Sequence, residues 1–198
     1  GEFDKAFLLS GGTEATEAAL KLMRMNGQRT RKKRLGIISM EGSFHGRTLG
    51  AQLLGGIKPQ KEWIGFEDQG VFHIRCPYPW VLDKGTSPEE FLENELKKLE
   101  DEGICLGTDI CGAIFETFQG WASFFYPKSF MKAMEAFCRK NKILLTIDEV
   151  QSGFARTGVK FGYQHYGIHP DLICCGKGMG SGVALSGVLG KREIMDIP

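Results

Sequence analysis

The chain has 198 residues, 42% of them apolar, which is enough to bury the core of one domain, and 25 basic against 24 acidic residues leave a net charge of +1. That balance excludes the strongly basic surface of a nucleic-acid binder and gives no attraction to an acidic membrane. No apolar run approaches the ~20 residues of a bilayer span, and the opening "GEFDKAFLLSGG" has neither a basic nor a long apolar leader, so a soluble, cytoplasmic protein is expected.

In chain order, short apolar runs predict strands at 6–10, 36–40, 71–75, 112–117, 144–150, 172–176 and 183–189. Amphipathic stretches between them predict helices at 14–26, 47–54, 88–102 and 127–141. The third helix is opened by "TSPEEF", with Ser87 as cap, Pro88 at the first helical position and acids in the first turn. Phe91, Leu92, Leu96 and Leu99 give it one buried stripe. The basic run "RTRKKR" at 29–34 reads as a solvated connection between helix and strand. Six cysteines show no CxxC pairing and fall mostly in apolar segments, so reduced thiols packed as small hydrophobes are expected, with no metal site and no disulfide.

Nearly continuous apolar strands separated by helices indicate an α/β fold: a three-layer α/β/α sandwich around a mostly parallel, seven-stranded mixed sheet. The last strand follows "GKGMGSG" with no room for a crossover helix, so it should run antiparallel to its neighbours. In such sheets ligands collect at the carboxyl ends of the strands, which makes the strand exits the places to inspect.

After the first strand, "SGGTEATEAALKLM" leads a glycine pair into a helix. The free N–H groups of such a helix start, at Gly12 and Thr13, can cradle an anion, with the Thr13 hydroxyl as a further donor, or can serve only as an ordinary cap. After the second strand, "EGSFHGRTLG" sets Phe44 and His45 between glycines, where an aromatic face can stack on a flat heterocycle or pack inward. The fourth strand ends at Glu116, a site residue or a solvated strand end.

"LLTIDEVQSGFARTG" then places Asp148, Glu149 and Gln151 at a strand exit. A magnesium-binding acidic strand would need a GxxxxGK[ST] partner, which the chain lacks. In "PDLICCGKGMGSG", Lys177 emerges from an apolar run into glycines, and a desolvated amine in such a place is a nucleophile toward carbonyls. An amine for an aldehyde, an anion cradle, an aromatic face and a strand-end carboxylate together describe a site for pyridoxal 5'-phosphate.

The motifs "SGGTEATEAALKLMR", "FHGRTLG", "IDEVQSGFARTG" and "PDLICCGKGMGSG" resemble, in order and spacing, the large domain of class III (ω-type) pyridoxal-phosphate-dependent aminotransferases of fold type I. The resemblance implies transfer of an amino group between an amine or amino acid and a 2-oxo acid, in a homodimer. It implies a Schiff base on Lys177, which would also shuttle the substrate proton, and a pairing of Asp148 with the pyridine nitrogen. Val150 would pack on the ring opposite Phe44, Gln151 would meet the phenolic oxygen, and Gly12 and Thr13 would hold the phosphate. His45 lies in the second of these motifs, Glu116 and Gln119 match the family's E-P-x-Q run, and Glu149, by alternation, points away as a structural group.

Two departures qualify what is implied. Many members read E-P-x-Q-G-E-G-G where this chain reads "ETFQGWAS", so Trp121 replaces a Glu that pairs with an arginine in enzymes acting on ornithine or 4-aminobutyrate. Trp121 cannot form that pair, which speaks against ornithine or 4-aminobutyrate and leaves open an aromatic or bulkier amine, an amino sugar, or an aminomutase role. Members are also about twice this long, so residues 1–198 resemble the large domain without the N-terminal segment and the C-terminal small domain. An aminomutase, decarboxylase or racemase shares every quoted motif, and an inactive fragment serving only cofactor binding or assembly is the contrasting alternative.

Overall fold

The computed structural model describes residues 2–66, 68–82 and 85–196; the expected domain limits at 1 and 198 lie outside them. In chain order the elements are β1 (Lys5–Leu9), α1 (Gly12–Arg29), β2 (Gly36–Met40), α2 (Leu49–Leu54), β3 (Val71–Ile74), α3 (Pro88–Asp101), α4 (Leu106–Asp109) and β4 (Ile110–Glu116). There follow β5 (Phe118–Gln119), β6 (Phe124–Phe125), α5 (Lys128–Asn141), β7 (Leu144–Asp148), β8 (Leu172–Cys175), β9 (Ser186–Gly190) and α6 (Arg192–Met195). Among the described residues seven strands form one sheet in the order β1-β9-β8-β7-β4-β2-β3, while β5 and β6 make a separate two-stranded hairpin. In the seven-stranded sheet β9 runs antiparallel to both β1 and β8 and the other pairings are parallel, while β5 and β6 pair antiparallel. The mixed seven-stranded sheet is therefore as expected.

Each face of the sheet carries its own core. One gathers Ala15, Ala19 and Met23 of α1 with Ile37, Ile114, Leu172 and Val188 from the strands. The other packs Phe91, Leu92, Leu96 and Leu99 of α3 and Phe130, Met131 and Met134 of α5 against Ile38, Phe115, Leu145 and Ile173. Helices on both faces complete the three layers. The α3 stripe is buried as its spacing requires, and Ser87 caps that helix by accepting the N–H of Glu90 at 3.1 Å.

The differences from the sequence reading have local causes. α1 runs to Arg29 rather than stopping before Gly27, because Gly27 is a contact point and not a helix end: a Cβ there would lie 2.6 Å from Cβ of Cys111 on β4. β7 ends at Asp148, and β9 starts only at Ser186 because the preceding turn holds Ser181 and Gly182 at φ 46° and 101°. The 3-10 turns Lys58–Ile64, Gly162–His165 and Lys177–Met179, with α4, α6 and the β5–β6 hairpin, are too short to show a period in sequence. In the basic run, Lys32 is a strut rather than a solvated side chain, its ammonium donating to the carbonyls of Gly107 at 2.6 Å and Asn141 at 2.8 Å. All six cysteines are free thiols, and only Cys105 is exposed.

Candidate active site

The carboxyl ends of β2, β4, β7 and β8 and the start of α1 surround a cavity of about 340 Å³. Gly12, Thr13, Phe44, His45, Glu116, Asp148, Val150, Gln151 and Lys177 all line it. The sequence singled out these nine residues, and the fold brings every one of them to the same space.

α1 organises the first half of that space. Glu14 reaches back to the N–H groups of Ser10 at 2.9 Å and Gly11 at 2.7 Å, which leaves the N–H groups of Gly12 and Thr13 as the first without an intrahelical acceptor. Position 12 tolerates no side chain, since a Cβ there would stand 2.7 Å from Val150 Cγ1. One turn on, Glu17 accepts the hydroxyl of Thr48 at 2.7 Å and the N–H groups of Gly50 and Ala51 at 2.8 and 3.1 Å, capping α2 from a neighbouring helix. The Thr48 proton is thereby spent on a carboxylate, so in its 2.7 Å contact with Thr13 the Thr48 oxygen accepts and Thr13 donates. Thr13 thus offers a ligand its backbone N–H rather than the hydroxyl proton expected from the sequence. Its oxygen also accepts the N–H groups of Arg47 and Thr48 at 3.2 Å, and Gly46, at φ 135°, gives the close passage this needs.

Phe44 keeps its ring 36% exposed, with the Arg47 guanidinium 5.7 Å from the ring centre. His45 does the opposite. Its side chain is fully buried, with Nδ1 2.9 Å from Asp148 Oδ2, while its carbonyl accepts the Thr16 hydroxyl at 2.6 Å. It therefore offers no stacking face and acts on the cavity through Asp148. Asp148 itself takes only one more bond, from the Val150 N–H at 3.0 Å, and opens on the cavity.

Glu116 is buried at the end of β4, its two oxygens accepting the N–H groups of Phe44 at 3.1 Å and Gly120 at 3.3 Å. Burial pushes its carboxyl up to about 7; the neighbouring His45 and these two N–H groups oppose the rise, while Asp148 adds to it. Lys177 enters at φ 40°, a strained value for a residue with a side chain, and its amine stands 3.4 Å from Gln151 Oε1. Lys177 is exposed, so the described residues do not supply the desolvation expected at that amine. Gln119 points elsewhere, donating to the Glu41 carbonyl at 2.8 Å. Arg47, Phe118 and Ser152 also line the cavity and were not singled out. For Arg47 the sequence held a signal, an arginine directly after the glycine-flanked pair at a strand exit.

The sequence description of the aminotransferase class-III family matches residues 1–198. The chain belongs to the class III aminotransferases. It is 34% identical to a probable 4-aminobutyrate aminotransferase of Bacillus subtilis, over 97% of this chain and 44% of that protein. A 2-aminoadipate transaminase of Pseudomonas putida is 37% identical over 95% of this chain and 43% of its own length. The crystal structure of an (S)-enantioselective omega-transaminase from Thermomicrobium roseum superposes with a TM-score of 0.85 at 35% identity, covering 100% of this chain and 45% of that one. This class III aminotransferase chain thus has the fold type I sheet of the transaminases and spans less than half the length of the relatives it matches.

Proposed function

We propose that residues 1–198 form the pyridoxal-phosphate-binding large domain of an aminotransferase that moves an amino group between an amine or amino acid and a 2-oxo acid. The observation that carries this reading is the convergence of the nine expected residues on one cavity at the ligand edge of the sheet. The cavity also fits the cofactor chemically. It presents an amine, a carboxylate with acceptor capacity to spare, a partly exposed aromatic face, and the open N–H groups of an 18-residue helix, where a phosphate is favoured.

When bound, the cofactor supplies an electron sink for the pair released as the substrate loses a proton. The chain's own residues do the rest. Gly12 and Thr13 would hold the phosphate through their N–H groups, and Asp148, steadied by His45 and the Val150 N–H, would accept a hydrogen bond from the ring nitrogen. Phe44 and Val150 would flank the ring and Gln151 would meet its phenolic oxygen, while Glu116 ties the Phe44 and Gly120 loops together at the cavity. Lys177 bears the amine that would hold the cofactor's aldehyde group and would serve as the proton carrier. Exposed Phe7, Leu8 and Val183, at 54, 60 and 76%, support association with a second copy as a homodimer. A cytoplasmic location is in keeping with six free thiols.

The test is an absorbance spectrum of the purified chain with pyridoxal phosphate, followed by borohydride and peptide mass analysis. Label on Lys177, absent from Lys177→Ala, is the expected result. Cofactor bound elsewhere, or not at all, refutes the assignment for this chain. Since the chain spans less than half of its relatives, that second outcome favours a fragment that serves assembly alone.

A further inference from the structure

We propose that one buried water sits against Nε2 of His45 and fixes the ring's proton on Nδ1, behind Asp148. Nε2 is buried and has no hydrogen-bond partner among the described residues. A buried polar atom left without a partner costs about 1–3 kcal/mol, so natural structures rarely leave one dry.

The second observation is a small cavity that shares Phe44, His45 and Gly46 with the larger one. His45 lines not only the 340 Å³ cavity but also a small one, with room of about 10 Å³ for the centre of a water molecule. That is space for about one water. Its walls are polar as well as apolar: besides His45 they include Ser43, Gln52 and Gln60. A hydroxyl and two amides are partners of the kind a buried water needs, which distinguishes this hole from a dry apolar void. His45 thus lines both cavities, with its Nδ1 bonded to Asp148 and its Nε2 without a partner among the described residues.

The position of the proton follows. An ionised carboxylate can only accept, so the 2.9 Å contact requires a proton on Nδ1. Nε2 is then an acceptor and needs a donor. Neither Ser43 nor the side chains of Gln52 and Gln60 lie within hydrogen-bonding distance of it, whereas water can donate from inside the cavity. The water makes His45 a positioning residue whose tautomer always turns a donor toward Asp148. That leaves the second carboxylate face open to the larger cavity, and the consequence for a ring nitrogen there rests on the proposed function.

The experiment uses the 15N-labelled chain with no cofactor added. Long-range proton–nitrogen spectra report which imidazole nitrogen of His45 carries hydrogen, and a crystal structure with ordered waters reports the cavity. We expect a protonated Nδ1, a bare hydrogen-bonded Nε2, and one isolated water density beside it. An empty cavity, or a proton on Nε2, overturns the inference. Because neither readout involves pyridoxal phosphate, failure here leaves the labelling test on Lys177 untouched, and failure there leaves this one standing.

Discussion

Asp148 and Glu149 are adjacent carboxylates at one strand end, yet the two faces of the sheet treat them differently. Glu149 is wholly buried and accepts four hydrogen bonds: Thr117 Oγ1 and Ser152 Oγ at 2.6 Å, and the N–H groups of Gly162 and Tyr163 at 2.9 and 2.8 Å. Those fill the acceptor sites of a carboxylate, so nothing remains for a ligand. Asp148 takes two bonds and faces a cavity. Saturation marks the group that builds the turn; unused valence marks the group available for chemistry.

The sharpest way to break this comparison is Glu149→Ala. It strands two buried N–H groups and two hydroxyls, and we expect a loss of about 4 kcal/mol, read as a lower urea midpoint. A midpoint equal to wild type would mean the saturated carboxylate holds nothing together. Next in size is Gly12→Ala, whose Cβ would press on Val150 at 2.7 Å; about 1–3 kcal/mol should be lost, along with cofactor labelling at Lys177. Lys177→Ala, by contrast, should stay within about 0.5 kcal/mol of wild type, because the amine is exposed and free of structural bonds beyond its long contact to Gln151.

Proton linkage tests the open face directly. The folded Glu116 carboxyl is raised from 4.5 to about 7, so the native state holds more protons across that window and stability falls as pH rises through it. His73 is lowered from 6.5 to about 4, chiefly by burial, so the native state holds fewer protons and stability is lost as pH falls through 6.5 toward 4. Between 4.5 and 6.5 the two slopes oppose each other. Glu116→Gln should make stability climb with pH there, and His73→Gln should make it decline. Urea midpoints at both ends of the window decide the matter, and equal slopes in all three proteins would rule out a proton on Glu116. A small effect is also expected for Trp121→Ala, at about 1 kcal/mol or less, since Trp121 is 64% exposed and contributes one hydrogen bond among the described residues, to the Gly42 carbonyl.

The sequence made the sheet and its ligand edge legible because burial on both faces forces continuous apolar runs, as in "LLTID" and "LICC". The antiparallel β9 was legible because "GKGMGSG" is too short for a crossover. What escaped was set by contacts distant in sequence. The helix expected over 14–26 runs on to Arg29 with Gly27 packed against Cys111, and whether His45 stacks or packs inward stayed open in sequence, because Asp148, which takes its Nδ1, is 103 residues away. The hydroxyl of Thr13 was misjudged for the same reason, since Glu17 and Thr48 settle where its proton goes.

The pairing of β1 with β9 joins Lys5 to Gly190 and Leu9 to Ser186. During synthesis on the ribosome, β1 emerges before the other described strands but lacks its β9 partner until almost all of the described chain has followed it. The strand that leads into Gly12 and Thr13 is therefore the last to be locked into the sheet. Of all the elements around the cavity, this makes it the one most dependent on a chaperone's patience and most open to capture by another nascent chain.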